Sequence, residues 1–339
     1  MSESWAKNPS KEKRVSGSLL GAQIGDALAM PVHWYYDTAA LERDYGEVRD
    51  FLAPREPHPD SILWRSHYLP PSDKADILGD EARHWGQRDI HYHRNLGPGD
   101  NTLNLQLAAL HWRLLRERGC FDEDLFLDAF IAFMQNPKGH RDTYVEEAYR
   151  GFFQRWAKGV PPRQCGVEEK HIGGLCALFP VLALYADDPV NGTEHALRRL
   201  ALTHPGSKME EAGHFLCRLY YSLLSGDPLG PTVAGMIKKG GFGFLHHPFA
   251  ALLDFPARQV LVHELGTVCY VERALPAVIY LLLKHGDDPE TALIENTMAG
   301  GDNCYRGAVL GTLLGCAHGT GAWPKRWIRG LSAPMVAPE

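Results

Sequence analysis

Gly17-Ser18-Leu19-Leu20-Gly21-Ala22-Gln23-Ile24-Gly25-Asp26, near the start of the chain, and Gly307-Ala308-Val309-Leu310-Gly311-Thr312-Leu313-Leu314-Gly315, near its end, decide the fold. In each run a glycine recurs at every fourth position, which puts the glycines on one face of a helix. Glycine inside a helix costs roughly 0.5–1 kcal/mol relative to alanine. A face built of glycines is therefore sensible only where another backbone must come close, and small residues at this spacing permit that approach. The two ladders predict two central helices packed tightly against their neighbours, each other included among the candidates.

Outward from the ladders the pattern stays helical. Leu103, Leu107, Leu110 and Leu114 fall on one helix face, and Phe126, Phe130 and Phe133 do the same in the next segment. Further helical runs are expected at about 142–157, 172–186, 192–202, 207–225, 270–284, 289–299 and 303–317. Asp188-Pro189 and Asp288-Pro289 read as an acidic cap followed by proline at a helix start. Alternating β patterns are nearly absent, so the fold class is all-α, a compact helical bundle. Two stretches break the pattern: residues 45–99, rich in Pro, His, Asp and Trp, and residues 226–268, rich in Gly and His. Loops of such length are usually functional or disordered. The expected organisation is a loose arm over 1–14, one domain over 15–320 with no internal linker, and a C-terminal extension over 321–339.

The bulk composition narrows the function. A chain of 339 residues with 45% apolar and 22% charged residues is ordinary globular material. Its net charge of −6, without a long block of either sign, argues against a nucleic-acid or membrane-surface partner. The seven cysteines are scattered without a C-x-x-C pair, which fits a reducing compartment. The polar N-terminus has no apolar signal core, and the apolar run at 172–186, about 15 residues long, is short for a bilayer. A cytoplasmic protein is expected. The 17 histidines supply groups that titrate near neutral pH and ligate metals.

Two segments share one form. Gly99-Asp100-Asn101-Thr102 precedes the leucine-rich helix, and Gly300-Gly301-Asp302-Asn303-Cys304 precedes the second glycine ladder. Asp and Asn are strong helix caps, which is the plain structural reading. Two helix N-termini converging would instead place Asp100 and Asp302 across one pocket, where paired carboxylates hold a cation or share acid–base work at a glycosidic carbon. A third segment ends the first ladder in a proline turn, Met30-Pro31-Val32-His33-Trp34. There Asp26 braces backbone, and His33 reads as a base, a ligand or a surface residue.

These segments, in this order, resemble the ADP-ribosylglycohydrolase family. The glycine helix, Asp26 and the proline turn match one motif; Gly99-Asp100-Asn101-Thr102, Thr203-His204 and the run 300–315 match three more. The resemblance covers roughly residues 15–318. It implies an all-α domain that hydrolyses glycosidic bonds of ADP-ribose at a two-magnesium site. The departures matter as much. Asn101 and Cys304 stand where the family has aspartate, Gly99, Asn303 and Tyr305 replace its threonines, and His33 replaces a glutamate. The segment Ile172-Gly173-Gly174-Leu175-Cys176-Ala177 lacks the Asn and Arg of the matching family step. Only Asp100, Thr102 and Asp302 remain of the usual metal set, too little anionic oxygen for two magnesium ions; a single metal stays open. This pattern of loss is similar to the branch holding the jellyfish J-crystallins and their selenoprotein relatives, on the His91-Tyr92-His93 lead-in and the Gly-Gly-Asp-Asn-Cys ending.

Three function classes follow. The first is a hydrolase without two magnesium ions, with Asp100, Asp302, Cys304 and His33 as catalytic candidates. In it Cys304, in a helix's first turn, would be a reactive thiol with His33 as base. The second is a site re-tuned by Cys and His to zinc or iron. The third is a binding or crystallin-like structural protein that keeps the pocket. The substrate expected is a small ribose- or nucleotide-containing molecule, with Asn101, Asn303, Tyr305, Arg306, Trp34, His91 and His93 as binding candidates.

Overall fold

The two glycine ladders face each other. In chain order the helices are α1 (Lys11–Ala29), α2 (Thr38–Tyr45), α3 (Leu103–Arg118), α4 (Glu123–Gln135), α5 (Glu147–Ala157), α6 (Leu178–Leu184), α7 (Pro189–Ala201), α8 (Ser207–Leu224), α9 (Leu229–Lys239), α10 (Phe249–Leu252), α11 (Ala257–Gln259), α12 (Val271–His285), α13 (Pro289–Met298), α14 (Asn303–His318) and α15 (Lys325–Gly330). The structure is a computed structural model that describes residues 8–337. Along the α1–α14 seam Gly21 lies on the backbone of Gly311, Gly25 on that of Gly307, and Gly17 on that of Gly315. A Cβ on any of them would overlap the opposite backbone, which is why the spacing admits only glycine. Helices α8, α12 and α13 pack around α14, and α6 and α13 pack against α1, so both seam helices are buried nearly throughout. Among the described residues there is no sheet, only one isolated bridge between His171 and Tyr270.

Two sequence expectations need correction. Helix α1 begins at Lys11, inside the stretch read as a loose arm. Ser10 caps it by accepting the Lys13 amide, and Arg14 is buried, its guanidinium donating to the Cys316 carbonyl (2.9 Å) and to that of Ala317. Those carbonyls end α14, where a cation is favoured. Residues 1–7 lie outside the described residues. The stretch 226–268 contains α9, whose buried Leu229, Val233 and Met236 recur at helical spacing that its glycines and prolines obscure. Residues 321–337 are fastened to the domain: Gln23 bonds the Ala333 carbonyl (2.8 Å) and the Met335 amide (2.7 Å), and the Trp112 indole donates to the Met335 carbonyl (3.0 Å).

The long stretch 45–99 is mostly turns, but it is anchored. His58 and His91 are fully buried, with ring nitrogens 2.9 Å from the His33 carbonyl and 3.0 Å from the Pro31 carbonyl. The loop thus wraps the proline turn at the end of α1. Among the described residues no helix is long and apolar enough to cross a membrane.

Candidate functional site

The site forms where four chain segments are tied together at one end of the glycine seam. At the end of α1, Trp34 has φ 63°, a left-handed conformation that is uncommon for a bulky residue. Its amide donates to the Gly301 carbonyl (2.8 Å), and the Gly301 amide donates to the Tyr35 carbonyl (2.6 Å). Gly300 and Gly301 also have positive φ and press directly on the Tyr35 and Thr267 carbonyls. These contacts set His33 against Asp302 at the start of α14. The remaining segments pair through the Ile172 amide to the Cys269 carbonyl (2.8 Å) and the Val271 amide to the Lys170 carbonyl (2.9 Å). They bring His171 and Cys269 to the same place.

What results is a buried chain of carboxylates and imidazoles. The Leu103 amide, in the first turn of α3, donates to Asp142 Oδ2 (2.9 Å), and Asp142 Oδ1 is 2.6 Å from His93 Nδ1. His93 Nε2 is 2.6 Å from His33 Nδ1, and His33 Nε2 is 3.6 Å from Asp302 Oδ1. On the other side Asp302 Oδ2 is 3.1 Å from His171 Nε2, whose Nδ1 is 3.3 Å from Glu146 Oε2. Glu146 also takes hydrogen bonds from the His204 ring (2.9 Å) and the Asn104 amide (3.2 Å). His33, His93, Asp142 and Asp302 are all fully buried. Despite the ion-pair distances, neither Asp302 oxygen has an aligned hydrogen-bond donor among the described residues, nor does His33 Nε2 have a partner.

Burial and charge set the protonation. Burial pulls the His33 imidazole down to about 4, against Asp302, so it stays neutral at physiological pH. Burial also acts on His171, but Asp302, Cys269 and Glu146 outweigh it and hold the ring well above the usual histidine range. Against its own burial, Asp302 is kept far below the usual carboxylate range by His171 and His33. The Gly173 amide lies 3.2 Å from His171 Nδ1 as a donor, whereas Glu146 at 3.3 Å needs Nδ1 to carry a proton. Only one contact can be a hydrogen bond in a given protonation state. Flanked by two carboxylates, the ring is assigned as imidazolium, donating to Glu146.

The sequence candidates divide sharply. His33, Asp302, Cys304, His93 and Tyr305 come together; the Tyr305 ring stands edge-on to His33 (5.2 Å) and His171 (5.4 Å). Trp34 stacks on His33 at 4.1 Å. Asp100 does not join them. Its carboxylate accepts the Gly97 amide (2.8 Å) and the Arg141 guanidinium (2.9 Å) on the outer side of the molecule. Asp26 occupies the place expected of Asp100 as a buried carboxylate: it accepts the Thr102 hydroxyl (2.6 Å), the Thr102 amide (2.8 Å) and the Asn101 side chain (2.8 Å), and burial raises it to about 6. Thr102 and Asn101 are therefore braces of the α1–α3 junction. Arg306 is fully buried and donates to the Asn296 side chain (2.8 Å) and the Gly300 carbonyl (2.8 Å), holding the glycine turn where a substrate contact was expected. The Asn303 side chain donates to the Thr297 (2.9 Å) and Val32 (3.2 Å) carbonyls, and His91 braces the proline turn. The thiolate expected at Cys304 is opposed by its surroundings: burial, then Asp26, Asp302 and Asp142, push the thiol well above its usual value.

Sequence reasoning missed Asp142, Glu146, His171 and Cys269 and gave His204 no role. Asp142 and Glu146 fall inside the run expected as helix over 142–157, although the helix begins only at Glu147, and His171 and Cys269 lie just before helical runs, so no spacing marks any of the four. The Thr203-His204 step was visible; its partner Glu146 was not.

The two-magnesium arrangement implied by the resemblance needs hard anionic oxygens close together. Asp100 is committed to Arg141, Thr102 to Asp26, and Asp302 is lined by imidazoles, so these residues do not fit such a pair. Among the described residues two other groups have metal-ligand geometry, each with its ligand atoms within 4.8 Å of one another: His33, His93 and Cys304, and His171, Cys269 and Asp302. A cavity of about 1060 Å³ elsewhere, lined by Ser10, Arg14, Leu229 and Trp323, holds none of these groups.

The sequence profile of the ADP-ribosylglycohydrolases matches residues 7–337. Among solved structures, one described as an ADP-ribosylglycohydrolase-related protein complex is similar in fold, with a TM-score of 0.63 at 23% identity over 95% of this chain and 93% of that one. No curated protein sequence matches the chain.

Proposed function

The chain belongs to the ADP-ribosylglycohydrolase family, and from that premise we propose that it is a hydrolase acting on a ribosyl- or nucleotide-like substrate at the Asp302 cluster, by chemistry other than that of two magnesium ions. The observation that carries this reading is Asp302 itself. It is a fully buried, ionised carboxylate between two imidazoles, with both oxygens lacking an aligned donor. Its charge is balanced by the His171 imidazolium, while among the described residues its oxygens keep room for a further partner, which is sensible for a group meant to hold a water or a sugar carbon. Neutral His33 is the proton acceptor beside it, and His93 with Asp142 orients His33 from behind. Tyr36, Val268 and Tyr270 are unusually exposed for large apolar residues. Val268 and Tyr270 flank Cys269 in sequence, and the phenol of Tyr36 is pushed up by burial together with Asp302 and Cys269. Of these, Tyr36 and Tyr270 are the aromatic candidates for stacking a base. The seven free cysteines support a reducing, cytoplasmic setting.

The test is a panel of N- and O-linked ADP-ribosyl compounds and simple ribosides, with product release followed by mass spectrometry. Turnover by the parent protein and its loss in Asp302→Asn support the reading; no turnover of any member defeats it. Full burial of His33, Asp302 and Cys304 favours a second reading, a non-catalytic protein of the J-crystallin kind that keeps the pocket. Binding of ADP-ribose without turnover would select it.

A further inference from the structure

We propose that His171, Cys269 and Asp302 form a mononuclear zinc site with one position left open. Three observations meet here. The ligand atoms already cluster: His171 Nε2 is 3.1 Å from Asp302 Oδ2, and the Cys269 sulfur lies within 4.8 Å of both. Ligands about 2.0–2.3 Å from a tetrahedral zinc sit roughly 3–4 Å apart, so the site closes around an ion with small side-chain shifts. The Asp302 oxygens, fully buried and without aligned donors, are aimed into the cluster. The third observation lies behind the histidine. A metal-bound imidazole usually gives its other N–H to a carboxylate, and Glu146 Oε2 stands 3.3 Å from His171 Nδ1, itself fixed by His204 and Asn104. With Nε2 on the metal, Nδ1 keeps the proton for Glu146.

The donor set selects the metal. One thiolate, one carboxylate and a neutral imidazole cancel a divalent charge, which removes the cost of an isolated buried anion. The thiolate and imidazole favour zinc over magnesium. Cys269 is partly exposed, so the ion has an entry path. Three protein ligands leave the fourth position for water, the arrangement of hydrolytic zinc. His33 Nε2 lies 3.6 Å from the other Asp302 oxygen, Oδ1, and has no hydrogen-bond partner among the described residues. The inference rests on the proposed hydrolase for its chemical use, and its test reads the metal directly, so the two fail separately.

Full-length protein is stripped with a chelator and titrated with Co²⁺, then with Zn²⁺ in competition. The expected result is saturation at about one ion per chain, intense tetrahedral visible bands and a thiolate-to-cobalt charge-transfer band, all displaced by Zn²⁺. Cys269→Ser, at a partly exposed position, keeps the fold by circular dichroism and loses the charge-transfer band. Glu146→Gln weakens binding about 10–100-fold. Absence of saturable Co²⁺ binding overturns the proposal. So does a charge-transfer band that survives in Cys269→Ser and disappears in Cys304→Ser, because the ion would then sit with His33 and His93. If zinc binds as expected and no panel compound is cleaved, the metal site stands and the hydrolase reading falls.

Discussion

The glycine seam and the histidine–carboxylate cluster adjoin at the start of α14, yet they are held together in opposite ways. Along the seam side chains are absent from the contact: Gly21 meets Gly311 and Gly25 meets Gly307 backbone to backbone. In the cluster side chains make the chain, with Asp142, His93, His33, Asp302, His171 and Glu146 joined ring to carboxylate and, between His93 and His33, ring to ring. The seam admits no extra atom. Among the described residues the cluster leaves polar atoms without hydrogen-bond partners. A rigid seam next to such a chain is what the proposed site needs, a geometry fixed by its scaffold.

The largest effect that would break this contrast is steric. Gly21→Val puts branched carbon into the Gly311 backbone, which cannot yield as a side chain could, and against the Trp323 ring. A loss of about 3 kcal/mol or more is expected by denaturant unfolding, beyond the usual overpacking range. An effect below about 1 kcal/mol would mean that the helices can part. Next is the glycine turn that joins seam to cluster. Arg306→Lys forfeits the forked bonds to Asn296 and Gly300 and should cost about 2 kcal/mol, as for hydrogen bonds to a buried charge.

The third prediction concerns pH. His111 on α3 is buried, and burial followed by Arg199 holds it well below the usual value of 6.5. Its neutral form is favoured in the folded state, so its contribution to stability is present above 6.5 and is lost as pH falls towards its folded value. One such group gives a slope of roughly 1.4 kcal/mol per pH unit below that point. His111→Phe should flatten the acid limb of a stability–pH curve by up to that amount; an unchanged limb would show that His111 is not held neutral. The smallest effect is expected at Asp100. Its pair with Arg141 is partly exposed, and Asp100→Asn should change stability by about 0.2–1 kcal/mol.

How much of this was legible follows from where each part lies in the chain. The seam could be read because its spacing is local: four-residue intervals of glycine have one helical meaning. The same logic found Asp302 and His33, each next to a ladder. It misplaced Asp100, because a Gly-Asp-Asn segment before a helix specifies a cap position without fixing which carboxylate turns inward. Here Asp26, from the other side of the α1–α3 junction, takes the inward place and Asp100 turns to Arg141. His171, Cys269, Glu146 and Asp142 come from connections between helices, and the bridge that pairs 170–172 with 269–271 joins residues about a hundred positions apart. No local period encodes that pairing. Helix α9 was hidden for a different reason, since its glycines lower helix propensity while its buried Leu229, Val233 and Met236 supply the packing that overrides it.

The central claim is that the Asp302 cluster, and not Asp100, is the reacting centre. It is tested most directly by kcat/KM for the best substrate of the panel in Asp302→Asn and Asp100→Asn side by side. The account predicts a fall of about 10²–10⁴-fold in Asp302→Asn, the range for losing a positioned acid–base group, and at most about fivefold in Asp100→Asn, the factor carried by 1 kcal/mol. A large loss in Asp100→Asn with activity retained in Asp302→Asn would contradict it.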